Sequence, residues 1–94
     1  MVDVTDAAKK QLLLVTEQRE LSPGKFLRLA VPPAWEGEGD FGIVIDDRGV
    51  TDLSITEGNR TVLLIGPEVD GAVHEAVLDF KAHSEGERFT LDVF

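Results

Sequence analysis

Five side chains carry donors suited to metal or proton chemistry and stand where a loop or helix could gather them. Glu36, Glu38 and Asp40 occupy alternate positions of one acidic segment, and His74 and His83 are the two histidines. Alternating carboxylates open the oxygen-ligand loops that hold calcium, but such loops need a glycine at their sixth position. Counting from Glu36, that position holds Phe41, and aliphatic residues 43–45 fill the remainder. The segment therefore reads as a solvated acidic loop, with a weak cation site built from Glu36, Glu38, Asp40 and His74 as the alternative. The histidines are the side chains able to titrate near neutrality or to bind borderline metals. Neither has a second histidine three or four residues away, and Glu75, adjacent to His74, does not share a helix face with it. They read as solvated surface groups, or, with carboxylates, as ligands of iron or zinc.

Other chemistries lack their residues. Gly37 and Gly39 lie in a loop without the lysine and helix start of a phosphate cradle, and its carboxylates would repel an anion. Ser22, Ser54 and Ser84 are not in a Gly-x-Ser-x-Gly elbow. With no cysteine in the chain there is no disulfide, no thiolate ligand and no cysteine nucleophile. Nothing specifies an enzyme. Trp35, beside Pro32 and Pro33, reads in one of two ways: an interface anchor, or an indole folded back over a sheet.

The whole chain sets further bounds. Its 94 residues fit one domain, 1–94, with one modest core. A hydrophobic fraction of 43% is that of a globular protein, and the four-residue apolar run Val62 to Ile65 is far below the ~20 that a membrane helix needs. Nine basic against eighteen acidic side chains leave a net charge of -9, with no basic cluster. Phosphate backbones and anionic lipids would repel such a surface, so neither nucleic acid nor a membrane is an expected partner. The absence of cysteine and of a basic-then-apolar leader makes the cytoplasm the expected location.

The periodicity predicts the elements that would position these groups. Thr5 and Asp6 form a helix start, and Ala8, Leu12 and Val15 recur at helical spacing with Leu13 and Leu14 beside them, so a helix is expected over 6–20. Ser22-Pro23-Gly24 ends it. Leu27, Leu29 and Val31 then alternate with Phe26, Arg28 and Ala30 as a strand, which Pro32-Pro33 stops. Phe41, Ile43 and Ile45 predict a second strand, and Leu53 and Ile55 a short third. Glu57 to Arg60 reads as a hairpin turn into 61–65, whose unbroken apolar character predicts a strand buried on both faces. Pro67 permits a short helix. Strands are expected at 78–82 and 89–93, joined by a turn over 83–87.

Taken in order, these pieces resemble the A-type iron-sulfur carrier family, also called HesB/IscA-like. The resemblance rests on Thr5-Asp6-Ala7-Ala8 opening a helix, Leu27-Arg28-Leu29 in a strand, the glycine-containing loop and Phe41 opening an aliphatic strand. Gly66-Pro67, Leu78-Asp79-Phe80 and Gly86-Glu87-Arg88-Phe89-Thr90 complete it. It implies an α+β, HesB-like domain of small mixed or antiparallel sheets, one N-terminal helix and a short second helix. It also implies iron-sulfur cluster assembly, through one cysteine in a loop and a Cys-Gly-Cys tail after the last strand. The loop position falls at Trp35 or Glu36 here, and the last residue before the tail position is Phe94. Hard carboxylates do not replace soft thiolates around such a cluster. The expectation is thus a non-enzymatic protein-interaction or scaffold module with no cofactor. It would act on a protein partner or as a homo-oligomer, with Trp35 as the interface candidate. The alternative is weak iron binding through carboxylates and histidine in support of cluster assembly.

Overall fold

The computed structural model describes residues 2–33, 35–37, 39–73 and 75–94, the side chains of 70 and 83 excepted. Nine elements follow in the order β1 (Val2–Val4), α1 (Asp6–Arg19), β2 (Lys25–Ala30), β3 (Gly42–Asp47), β4 (Leu53–Glu57), β5 (Arg60–Ile65), α2 (Pro67–Ala72), β6 (Ala76–His83) and β7 (Gly86–Val93). They form a four-stranded sheet of order β3-β2-β5-β4 and a three-stranded sheet of order β1-β6-β7. Each sheet is mixed: β2 pairs with β5 and β1 with β6 in parallel, and the remaining ladders are antiparallel.

Helix α1 holds the two sheets together. It packs on β6 of one sheet and on β5, β4 and β2 of the other, burying Ala8 and Leu12 completely. Its start is fixed by Thr5, whose extended backbone lets Oγ1 accept the N–H of Ala8 at 3.2 Å while the hydroxyl donates to Asp79 Oδ1 at 2.6 Å. One side chain thus caps the helix and ties it to β6. The helix ends one residue earlier than its periodicity predicts, because Glu20 takes the left-handed conformation at φ 48° and caps it.

The core is built mainly from β5 and its neighbours. Val62, Leu63, Leu64 and Ile65 are all essentially inaccessible, so the strand expected to be buried on both faces is so. Its position between β2 and β4 accounts for this: Leu63 joins the core shared with α1, while Leu64 faces the opposite side of the sheet. On β2, Leu27 and Leu29 face α1 as the alternation predicts, and Ala30 on the other face is also buried. Gly58, at φ 61°, opens the two-residue turn between Glu57 and Arg60, a conformation that costs side-chain-bearing residues about 1 kcal/mol or more.

Strand β1 lies outside the sequence expectation. Three residues are too few for a period to register, and the strand exists because Val2 and Val4 align with Ala76 and Leu78 across more than seventy positions of chain. Among the described residues no helix is long and apolar enough to cross a membrane.

Candidate functional site

Strand β3 runs along an edge of the larger sheet, and the two faces of this edge carry different chemistry. Phe41, Ile43 and Ile45 turn toward α1, while Gly42, Val44 and Asp46 share the face of Phe26, Arg28 and Ala30. On the α1 side, Leu12, Val15 and Arg19 of the helix, Leu27 of β2 and Phe89 of the smaller sheet complete an open, mostly apolar groove of about 500 Å³. Ile45 remains half exposed at its mouth. The groove arises because α1 spans both sheets without covering the last strand of the larger one.

On the other face, Trp35 settles the loop that precedes β3. Its N–H donates to the carbonyl of Val31 at 3.0 Å, turning the chain back after the cis Pro32–Pro33 peptide. The indole then lies against Gly37 and Gly42, so closely that a Cβ on either glycine would overlap the ring. Of the two readings of Trp35, the indole folded over the sheet describes its position. Trp35 is only partly buried there.

Beside it, a charged network braces the same face. Arg28 donates through Nη1 to Asp52 Oδ1 at 2.8 Å and through Nη2 to Asp52 Oδ2, with Nε reaching Asp46 Oδ2 at 3.1 Å. A further Nη2 bond reaches the carbonyl of Asp47 at 2.9 Å. The pair is well screened from water, with side chains 13% and 4% exposed. Hydrogen bonding from Arg28 holds the Asp52 carboxyl down at about 2, against burial, which alone would raise it; the Gly49 N–H and the charges of Arg28 and Arg48 add to the depression. Arg48 lies 5.4 Å from the centre of the Phe26 ring and donates to Ser54. These contacts fix the 48–52 turn across the sheet and offer no reactive group, since each charged head is engaged by a neighbour.

Glu36 and Asp40 are exposed, and among the described residues no three carboxylates or histidines form a group able to hold a cation. Glu38 and His74 lie outside the described residues, as does the side chain of His83. Sequence reasoning missed the groove and the Arg28–Asp52 pair. Half of the groove was legible, since Phe41, Ile43 and Ile45 alternate and Leu12 and Val15 share a helix stripe. Phe89 joins them only through the packing of the two sheets, which no local pattern encodes.

Comparison with solved structures places this architecture. Over 98% of the chain it superposes on Escherichia coli SufA, a protein involved in the biosynthesis of iron-sulfur clusters, with a TM-score of 0.63, 21% identity and 79% of that chain covered. Over 99% of the chain it matches IscA solved with its [2Fe-2S] cluster, with a TM-score of 0.60, 22% identity and 82% of that chain covered. No family model and no curated protein matches the sequence. Identity at this level shows the fold alone: the chain has the α+β, HesB-like fold that the ordered motifs led us to expect.

Proposed function

We propose that this chain uses the fold of SufA and IscA as a non-enzymatic protein-interaction module, and that it does not carry an iron-sulfur cluster. The observation that carries this reading is chemical. A cluster needs soft anionic donors, and not one of the 94 residues is a cysteine. The donor set therefore does not fit the cluster. The loop position that the resemblance assigns to a ligand holds Trp35 or Glu36, and the indole there packs on Gly37 and Gly42 as part of the scaffold.

What remains is surface. The groove beside β3 presents apolar side chains with a strand edge alongside, the combination by which protein surfaces take up partners. No described cluster of titratable groups sits in it, and among the described residues Arg19 is the one charged side chain lining it. This favours binding over catalysis. With a net charge of -9, nucleic acid and anionic lipid are disfavoured partners.

Chemical reconstitution tests the reading. The protein is incubated anaerobically with ferrous iron, sulfide and a thiol reductant, then desalted. The expected product is colourless and free of bound sulfide. A visible chromophore with iron and sulfide retained in stoichiometric amount would overturn the proposal.

A further inference from the structure

Arg19 stands where an apolar space meets a polar one. Leu12, Val15 and Arg19 share the stripe of α1 that borders the groove. A second cavity, of about 360 Å³, continues past the end of the helix among Glu20, Leu21, Ser22 and Lys25. Arg19 and Ile45 line both, so the two spaces adjoin at these side chains. On one side of Arg19 the walls are aliphatic and aromatic; on the other they are polar and open to solvent. The two cations at this junction differ in their engagement. Lys25 is held by Asp47, with Nζ 2.8 Å from Oδ1. Arg19 is exposed and has no ion pair or hydrogen bond from its guanidinium to a described residue.

We propose that the groove binds a medium-chain monocarboxylate, an unbranched fatty acid, with its tail along Ile43 and Phe41 and its carboxylate on Arg19. This goes beyond the interaction-module reading and does not depend on it. A protein partner can use the rest of the surface while the groove holds a small molecule.

Size, lining and charge each select this ligand. The groove's volume of about 500 Å³ falls inside the range of roughly 300–1,000 Å³ usual for small-molecule sites. From Ile45 at the mouth to Phe41 is four strand positions, about 13 Å. An extended alkyl chain of roughly ten carbons, its bonds of about 1.5 Å set in a zigzag, covers that distance. Leu12 and Leu27 are buried beneath the space, and Val15, Phe41, Ile43 and Phe89 flank it partly buried. Apart from Arg19, no described side chain lining it can donate or accept a hydrogen bond. A polar tail would lose its hydration there with nothing in exchange, whereas a hydrocarbon tail gains by leaving water. The head must then answer Arg19. A planar carboxylate matches the guanidinium fork with two parallel N–H bonds. A doubly charged phosphate would also face Glu20 and Asp47 on a chain of net charge -9, so the single negative charge is favoured.

Isothermal titration of the full chain with sodium decanoate, below its micelle threshold and at about 0.15 M salt, tests the site. The expected result is saturable binding of one molecule per chain, with amide shifts in two-dimensional NMR centred on 12–19 and 41–45. Octanoate, two methylenes shorter, should bind about tenfold more weakly. Arg19→Glu reverses the charge at an exposed position, where the fold is not at stake. It should weaken decanoate by about tenfold or more and leave the binding of neutral decan-1-ol unchanged. Absence of saturable binding, as a second copy seated on the groove would cause, overturns the proposal. Equal losses of decanoate and decanol in Arg19→Glu, or amide shifts centred elsewhere, overturn it too. Each of these leaves the cluster-free reading intact, and retained iron and sulfide would count against that reading alone.

Discussion

At the scale of single residues, the Arg28–Asp52 pair is the contact with the largest consequence. Replacing Arg28 with Met leaves a carboxylate that is 4% exposed without its partner, a loss of about 3 kcal/mol to be read in urea unfolding at neutral pH. The pH dependence has a definite sign. The folded Asp52 carboxyl sits at about 2 against an ordinary 3.8, so its stabilisation is complete above about pH 4 and is lost as pH falls through about 2. Melting temperatures between pH 5 and 2 should fall more steeply for the parent than for Asp52→Asn; parallel curves would show that the pair contributes little. Trp35 offers a second test. It is the single tryptophan, and Gly42→Ala would drive a methyl group into its ring, displacing the indole. Its emission should move several nanometres to the red, and an unchanged spectrum would mean that the ring does not lie on Gly42. The sequence marks Trp35 as a residue of interest and leaves its position open, because the glycine that receives the ring is set by the β2–β3 register. Arg28 and Asp52 are 24 positions apart, and nothing local to either announces their meeting.

At the scale of elements, most of the architecture was legible and the exceptions share a cause. Helix α1 shows in the spacing of Ala8, Leu12 and Val15, and β5 in its unbroken apolar run, because each signal is local and matches the period of the element it produces. Strand β1 has three residues and a parallel partner at β6, so its existence depends on pairing that sequence position does not reveal. Thr5 joins the two kinds of information. It caps α1 by a bond legible in the sequence, and it ties that cap to Asp79, 74 residues away, by one that is not. Thr5→Ala should therefore destabilise the domain by about 1–2 kcal/mol in urea unfolding, whereas Thr5→Ser, which keeps the hydroxyl, should lose well under half of that. Equal losses for the two variants would show that the methyl group, rather than the hydrogen bonds, supports the junction.

At the scale of the whole molecule, a fold shared with SufA and IscA is combined with a sequence that contains no cysteine. The fold follows from apolar patterning and turn placement, which tolerate identity near 21% because packing needs volume and period rather than particular residues. Cluster chemistry has no such tolerance, because it depends on the donor atoms themselves. The two can separate, and we propose that in this chain they have. Its most direct test is the protein as it comes from the cell. Purified without oxygen and assayed for iron, acid-labile sulfide and absorption above 300 nm, it should be colourless, with iron and sulfide far below one per chain. A brown preparation holding stoichiometric iron and sulfide would contradict the account at its centre.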